Sequence, residues 1–203
     1  MRVGVTVIDL IRHGEPVGGA LIRGKRDDPL SETGWKQMWA AVDGERPWQQ
    51  IISSPLLRCA NFAHALGSEL NIPVTEEVRL SEIGFGEWEG VDLASLYRDC
   101  PEAIDGFWAD PPNNPPPGGE SFTLFQARVS EALNAILCDY AGKHLLLVAH
   151  GGVIRMIIAQ VLSMPTEKIF RMEVPYAAVS RILVERGMQR LSFHCGRCCP
   201  AIQ

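Results

Sequence analysis

The segment LLLVAHGGVIRMII, residues 145–158, decides the fold of this chain. Its first five residues form an unbroken apolar run, which predicts a strand buried on both faces, as in a parallel sheet. The residues after His150 are apolar nearly all round a helical projection, which predicts a buried helix over 151–162. His150 is therefore expected at the carboxyl end of a strand. The amides of Gly151 and Gly152, at the N-terminus of the following helix, can face an anion.

Two further segments end in polar side chains at the same edge. VIDLIRHGE, residues 7–15, predicts a strand that ends at Arg12 and His13. IISSPLLR, residues 51–58, predicts a strand followed by a helix whose first turn contains Arg58. Ligands of open α/β folds bind at the carboxyl edge of the sheet, where imidazole and guanidinium groups suit an anionic substrate and a nitrogen nucleophile. Taken alone, Arg58 is better interpreted as a surface arginine, and a second His-Gly pair has chance odds of roughly one in fifteen.

Strands and helices alternate along the chain, which predicts a parallel sheet with helices on both faces. The predicted order is strand 3–12, helix 32–43, strand 49–53, helix 55–70, strand 73–76, a loop-rich stretch with short helices over 80–120, helix 121–140, strand 143–149, helix 151–162, short helix 166–171, and strands 177–185 and 188–193. The last two strands flank Gly187 and predict a hairpin at one sheet edge. We therefore expect a three-layer α/β/α sandwich, with a mostly parallel central sheet and an antiparallel edge strand, as a single domain over residues 1–203.

The loop-rich stretch contains the segment PPNNPPPGG, residues 111–119. Proline removes backbone donors and restricts the residue before it, so this segment cannot be regular structure. It joins two helices of one predicted domain, which favours a surface excursion that approaches the site over a disordered linker. Trp88 and Trp108 are candidates for the wall of a substrate pocket, although apolar packing is the commoner fate of tryptophan.

The composition is that of an ordinary globular protein, with 46% hydrophobic and 21% charged residues. A formal net charge of −5 argues against a general binder of nucleic acids or membrane surfaces. No apolar stretch approaches the ~20 residues that span a bilayer, and the first residues do not have the pattern of a signal peptide. We therefore expect a cytoplasmic protein with no nucleic-acid or membrane partner. The sequence leaves the oligomeric state open, a homodimer included.

Three of the six cysteines, Cys195, Cys198 and Cys199, cluster near the C-terminus beside His194. Such a group can hold zinc, but a structural zinc site usually has a second ligand pair elsewhere in the sequence. A frayed, reducible tail over 195–203 is therefore the favoured interpretation, and no metal site is predicted.

Four motifs occur in an order typical of one family: RHGE at 12–15, SSPLLR at 53–58, LSEIGFGEWEG at 80–90 and HGG at 150–152. With them the chain resembles the histidine phosphatase superfamily, which has the phosphoglycerate mutase-like fold, over about residues 5–185. The resemblance implies that His13 is phosphorylated transiently and that Glu82 donates a proton. It also implies that Arg12, Arg58 and His150 bind the phosphoryl group.

The chemistry agrees with these roles. Phosphoryl transfer requires positioning and neutralisation of charge, and arginine suits both because its planar fork matches two phosphate oxygens. His13 must attack as a neutral imidazole, a form that nearby arginines favour. His150 can serve as a positive donor once a phosphate dianion is bound, and that same negative charge should raise the pKa of Glu82. Glu82 would then protonate the leaving group and later activate water, with no metal and no cofactor.

Other residues near these motifs leave alternatives open. Glu87 and Glu89 share the loop with Glu82, and any of the three can be a solvated carboxylate. Glu15 either orients a pocket side chain or caps a helix. The remaining histidines lack a strand-end context and are interpreted as structural: His64, His144 and His194.

The loop after His13 is most similar to that of the α-ribazole phosphatase branch. This resemblance implies removal of the 5′-phosphate of α-ribazole phosphate during assembly of the cobalamin nucleotide loop. Many mutase-like members carry asparagine where this chain has Gly19, so one polar phosphate contact is absent or replaced. Arg23 is a candidate for an additional phosphate or substrate contact, with a surface salt bridge as the alternative. A phosphoglycerate mutase and a non-catalytic binder of phosphorylated ligands are the competing functions.

Overall fold

A computed structural model describes residues 4–196 and contains a six-stranded sheet with the order β3-β2-β4-β1-β5-β6. The strands are β1 (Thr6–Arg12), β2 (Gln50–Ser53), β3 (Val74–Glu76), β4 (His144–Ala149), β5 (Val179–Glu185) and β6 (Met188–Gly196). Strands β1 to β4 are parallel, β5 is antiparallel to β1, and β6 is antiparallel to β5. The predicted mostly parallel sheet with an antiparallel hairpin at its edge is therefore confirmed. The reversed strand is β5, and the outermost strand β6 runs in the direction of β1.

Six α-helices and three 3₁₀ segments connect these strands in the described part of the chain. The helices are α1 (Glu32–Ala41), α2 (Leu57–Leu70), α3 (Leu93–Asp99), α4 (Pro101–Ala109), α5 (Phe122–Asp139) and α6 (Gly151–Val161). The 3₁₀ segments are Val78–Leu80, Gly86–Trp88 and Thr166–Arg171. Each predicted element is present, with boundary differences of a few residues.

Two apolar clusters fill the space on the two faces of the sheet. Side chains of successive strand residues point to opposite faces, so Ile8 and Leu10 of β1 contact one cluster and Ile11 contacts the other. The first cluster is formed with α3 to α6 and the second with α1 and α2. This arrangement is the expected three-layer α/β/α sandwich. Helix α6 is buried along most of its length, so its N-terminus is held firmly at the carboxyl edge of the sheet.

Three of the boundary differences have a structural consequence. Strand β1 begins at Thr6 rather than at residue 3, which lies outside the described residues. Helix α2 begins at Leu57 rather than 55, because Leu56 has an extended backbone and the Leu57 amide donates to Asp27. Strand β6 continues to Gly196, so Cys195 lies in a strand rather than in a tail. Residues 197–203, with Cys198 and Cys199, lie outside the described part.

A buried charged cluster joins the parallel and antiparallel halves of the sheet. The Asp9 carboxylate on β1 accepts hydrogen bonds from Arg181 on β5, from His144 at the start of β4 and from the Trp48 indole. Burial raises the pKa of Asp9, but these hydrogen bonds outweigh it and lower the pKa to about 2. The cluster lies at the opposite end of β4 from His150, which makes it a structural element.

The proline-rich segment 111–119 has neither helix nor strand, as expected. It approaches the site indirectly, because its Pro117 carbonyl accepts the amide of Glu87 and the amide of the following Glu120 donates to Gly84. Gly86 has a φ of +55°, and a Cβ atom there would lie 2.2 Å from the Pro117 carbonyl oxygen. The segment therefore braces the loop that carries Glu82.

Candidate active site

His13 and His150 come together at the carboxyl edge of the sheet. Arg12 at the end of β1 pairs with Ala149 at the end of β4, so the next residue of each strand occupies the same edge. The centroids of the two imidazole rings are 5.2 Å apart, and the rings are at 63° to each other. A single tetrahedral phosphoryl group can bridge two rings at that distance.

His13 is a neutral imidazole with one free nitrogen. Its Nδ1 is 2.7 Å from the Gly14 carbonyl oxygen, which can only accept, so Nδ1 carries the proton. Its Nε2 has no hydrogen-bond partner among residues 4–196 and keeps its lone pair. Burial, Arg58 and Arg12 together place the pKa of His13 well below its usual value. This is the protonation state that a nitrogen nucleophile requires at neutral pH.

His150 is fully buried and is held from both sides. The Arg58 Nε–H donates to its Nδ1 at 3.2 Å, so Nε2 carries the proton and donates to the Ser54 hydroxyl at 2.7 Å. Burial and the charge of Arg58 place the pKa of His150 well below its usual value, and the imidazole here is neutral. The expected positive charge on His150 refers to the phosphate-bound enzyme and stays a prediction.

Arg58 is completely buried, which excludes the interpretation as a surface arginine. Besides His150, its guanidinium donates to the carbonyl oxygens of Gly24 and Arg26. It therefore fixes His150 and the loop after β1 in one arrangement, while its charge favours the neutral form of His13.

One of the guanidinium nitrogens of Arg12 is an unsatisfied hydrogen-bond donor. Its Nη1 donates to the Val174 carbonyl at 2.6 Å, and its guanidinium lies over the Tyr176 ring, 4.3 Å from the centroid. Its Nε is buried and has no hydrogen-bond partner in the described structure. A buried unsatisfied donor costs about 1–3 kcal/mol, so this arrangement favours binding of an acceptor. A Cβ atom on Gly151 would lie 3.5 Å from this Nε, so Arg12 lies against the first residue of α6.

The Glu82 carboxylate is held at the same helix N-terminus. Its Oε2 accepts the Gly152 amide at 2.9 Å, and its Oε1 accepts the amide of Ile83 at 3.0 Å. A Cβ atom on Gly152 would lie only 2.3 Å from Glu82 Oε1, so glycine is required for this contact. An acidic side chain at a helix N-terminus is also stabilised by the helix dipole.

The two rival carboxylates have other surroundings. Glu87 is exposed. Glu89 accepts the amides of Lys25, Arg26 and Phe85, so it braces two loops. Of the three glutamates in this loop, Glu82 alone lines the cavity described below.

Arg128 of α5 fixes the backbone of the Glu82 loop, and sequence reasoning did not identify it. Its guanidinium donates to the carbonyl oxygens of Arg79, Ser81 and Glu82. It also binds both carboxylate oxygens of Glu120, one of which accepts the Gly84 amide. The helical pattern of α5 identifies Arg128 only as a residue outside the apolar face, and its partners lie about fifty residues earlier.

A cavity of about 420 Å³ adjoins these groups. Its lining residues are Arg12, Leu21, Ile22, Arg23, Glu82, Ile83, Phe85, Trp108, Gly151, Gly152, Arg155, Phe170 and Arg171. The lining combines one carboxylate, four arginines and an apolar wall. Trp108 is part of that wall, whereas Trp88 is buried in the core.

Three further candidates from the sequence have separate places. Arg23 lines the cavity, but its guanidinium also binds Asp28 and the carbonyl oxygens of Val17, Gly19 and Leu21, so it shapes the loop. Gly19 has a φ of +74°, which favours glycine, and lies outside the cavity lining.

Glu15 also lies outside the cavity lining. Its amide donates to Gln37 and its carbonyl oxygen accepts the Ser31 amide. The cap of α1 is the side chain of Ser31. The backbone of Glu15 therefore joins the first loop to α1.

Residues 4–196 contain no group of three side chains arranged to hold a metal ion. In that same range, none of the helices has both the length and the apolar character needed to cross a membrane. Cys195 lies 3.3 Å from the Nε2 of His194, whose ring is held by Ser180 and the Glu173 carbonyl oxygen. Cys198 and Cys199, the other two cysteines of this cluster, lie outside the described residues.

Comparison with known proteins agrees with this geometry. A bifunctional protein of Mycobacterium tuberculosis is 30% identical over 84% of this chain, which spans about half (48%) of that protein's length. The adenosylcobalamin/alpha-ribazole phosphatase of Salmonella typhimurium is 27% identical over 90% of this chain and 92% of its own length. The solved structure of a mycobacterial glucosyl-3-phosphoglycerate phosphatase has a TM-score of 0.84 and 27% identity, covering 94% of this chain and 99% of that one.

The family model for the histidine phosphatase superfamily (branch 1) matches residues 8–195. This match includes every strand end from which the site is built. The resemblance indicated by the four sequence motifs is confirmed, with alpha-ribazole phosphatases among the relatives. The chain belongs to the histidine phosphatase superfamily.

Proposed function

We propose that this protein hydrolyses small-molecule phosphate monoesters through a phosphohistidine at His13. The observation that carries the proposal is the free Nε2 of a neutral His13, whose ring centroid lies 5.2 Å from that of His150. The preceding residue, Arg12, has a buried Nε without a hydrogen-bond partner in the described structure. In the first step the Nε2 lone pair attacks phosphorus and the ester P–O bond breaks. The protonated Glu82 carboxyl gives its proton to the leaving oxygen, so the alcohol departs neutral.

In the second step the Glu82 carboxylate takes a proton from water, and the resulting hydroxide attacks the phosphorus. The P–N bond breaks, inorganic phosphate leaves, and His13 and Glu82 return to their starting forms. Arg12 and Arg58 neutralise the transferring group, which is the main requirement of phosphoryl transfer. The reaction as proposed uses no metal, and a chelator should leave the rate unchanged.

A finer proposal, from the sequence, is that the substrate is α-ribazole 5′-phosphate, in assembly of the cobalamin nucleotide loop within the cytoplasm. The apolar wall of the cavity supports it, because Leu21, Trp108 and Phe170 offer surface to an aromatic base. The alpha-ribazole phosphatase among the relatives also supports it.

A second candidate substrate is a phosphorylated hydroxy acid, the class named in the glucosyl-3-phosphoglycerate phosphatases. The specific observation that favours it is a pair of cavity arginines, Arg155 and Arg171, neither of which forms an ion pair with a described carboxylate. The two substrate proposals share one mechanism and differ in the leaving group.

A phosphate-release screen tests both the mechanism and the substrate. We expect release from at least one of α-ribazole phosphate, 3-phosphoglycerate and a nitrophenyl phosphate, at a rate unaffected by chelator. A coupled mutase assay on 3-phosphoglycerate runs in parallel. Isomerisation without phosphate release would identify a mutase, and binding without either reaction would identify a non-catalytic ligand-binding protein; each result would refute the proposed hydrolysis.

A further inference from the structure

Arg155 is a cation that the proposed mechanism does not use. It lies on α6, one helical turn after Gly151, and contributes to the cavity lining. Its Nε donates to the Met172 carbonyl oxygen at 2.7 Å, which fixes the orientation of the guanidinium. Nη1 and Nη2 have no hydrogen-bond or ion-pair partner in the described residues. The side chain is largely buried, and burial lowers its pKa.

The free edge of Arg155 faces the same helix N-terminus as Arg12. A Cβ atom on Gly151 would lie 2.9 Å from Arg155 Nη1 and 3.5 Å from Arg12 Nε, so the two guanidinium groups flank this residue. Arg171, exposed and also without a partner in the described structure, lies on the rim of the same cavity. The carboxylate in this lining, Glu82, is already engaged by two backbone amides.

The cavity therefore holds more positive charge than a phosphoryl group requires. Arg12 and Arg58 already place two positive charges near His13, where the phosphoryl group would bind. The Arg155 guanidinium lies over the Phe170 ring and feels the charges of Glu82 and Glu173, but it forms no ion pair with a described carboxylate. An anion bound in the cavity would therefore stabilise its charge. With Nε occupied, its two terminal nitrogens present a planar pair of donors, which matches the two oxygens of a carboxylate.

We propose that Arg155, with Arg171 at the rim, forms a carboxylate subsite on the leaving-group side of the cavity. The preferred substrates are then phosphate esters of hydroxy acids rather than of uncharged alcohols. The inference rests on the proposed function and decides between its two substrate candidates in favour of the second. Arg155 is the residue that determines this specificity.

A matched pair of ligands tests the subsite. 3-Phosphoglycerate and glycerol 3-phosphate have the same three-carbon skeleton and phosphate, and differ in a carboxylate against a hydroxymethyl group. Both are measured as competitive inhibitors of nitrophenyl phosphate hydrolysis, with inorganic phosphate as the third probe. We expect wild-type protein to bind 3-phosphoglycerate about 10–100-fold more tightly than glycerol 3-phosphate, the range of a bidentate charge-assisted contact.

The Arg155→Met variant keeps an unbranched apolar side chain at this position and removes the charge, together with the contact of the guanidinium with the Phe170 ring. We expect its affinity for 3-phosphoglycerate to fall until the preference is within about 2-fold, while glycerol 3-phosphate and inorganic phosphate bind as before. Arg155→Lys should retain part of the preference, since it keeps the charge but loses the planar fork. Thermal unfolding of both variants verifies that each is folded.

Three results would overturn the subsite. Wild-type protein could show no preference between the two esters, or the preference could persist in Arg155→Met. Arg155→Met could also weaken inorganic phosphate as much as 3-phosphoglycerate, which would make Arg155 a ligand of the phosphoryl group. Failure of the proposed hydrolysis has a separate signature, because no ester would then release phosphate. In that case the affinities of the same two ligands, measured by calorimetry, still test the subsite.

Discussion

Removing the guanidinium of Arg128 should impair proton transfer by Glu82 while sparing phosphate binding. In Arg128→Met the carbonyl oxygens of Arg79, Ser81 and Glu82 lose their guanidinium donor, and the Glu120 carboxylate keeps only the Gly84 amide. The Glu82 carboxyl would still touch the N-terminus of α6, but its backbone would be held less firmly. The groups proposed to bind phosphate, Arg12 among them, are untouched.

The expected size of the effect follows from these contacts. General acid–base catalysis contributes about 10²–10⁴-fold, and a displacement of about 1 Å can cost about 10²-fold. We therefore expect kcat for an alkyl phosphate to fall about 10²-fold, with the Ki for inorganic phosphate within about 3-fold of wild type. The side chain of Arg128 is 20% exposed, so water can replace some lost donors. The free energy of unfolding should therefore fall by only about 2–3 kcal/mol.

Dependence on the leaving group distinguishes positioning of Glu82 from a general structural defect. A nitrophenolate leaves with little protonation, whereas an alkoxide needs a proton in the transition state. Arg128→Met should therefore lose much less activity on nitrophenyl phosphate than on an alkyl phosphate. Equal losses on the two esters would refute the reasoning. Arg79→Met is the matched control, because the Arg79 guanidinium contacts only Glu77 among described residues and its activity should stay within about 2-fold.

Three further predictions concern the titrating groups. Glu82→Gln should slow turnover of alkyl phosphates and leave the Ki for inorganic phosphate nearly unchanged; a selective loss of phosphate affinity in inhibition assays would instead make Glu82 a phosphate ligand. Because the pKa of His13 is lowered on folding, its ring should stay neutral in an NMR titration through pH 6.5. The free energy of unfolding should fall below that pH, since only the unfolded chain takes up the proton. A protonated ring at pH 6.5 would contradict the lowered pKa. The pKa of Asp9 falls from 3.8 to about 2 on folding, which contributes about 2 kcal/mol above pH 4 that is lost as the pH falls towards 2. In denaturant unfolding, Asp9→Asn should therefore lose at least that much free energy of unfolding at pH 7 and less near pH 2. An equal loss of free energy at the two pH values would argue against the ion pair with Arg181.

The candidate active site was predictable because it depends on short-range signals. Apolar runs locate β1 and β4, and the glycines after His13 and His150 mark where each strand ends. Strands of a parallel sheet end at the same edge, so this local information already places both imidazoles at that edge. The two rings meet because β1 and β4 are neighbours in the sheet, which the local pattern does not show. The burial of Arg58 follows only when it is considered together with them.

What the sequence did not predict depends on partners far along the chain. The sequence identifies Arg128 and Arg155 only as polar residues on helices, because most of their hydrogen-bond partners are backbone carbonyl oxygens, which have no side-chain signature. Asp9 stands in an apolar strand, and its role is apparent only once β5 and β4 lie beside β1. Cys195 extends β6 rather than a tail because pairing with β5 continues to Gly196.

The most direct test of the account is to locate the phosphoryl group during turnover. Rapid mixing with a phosphorus-labelled ester, alkaline quench and peptide mapping should find an acid-labile label on His13. The label and the release of phosphate should disappear together in His13→Ala. Label on another residue, or full turnover by His13→Ala, would contradict the central claim.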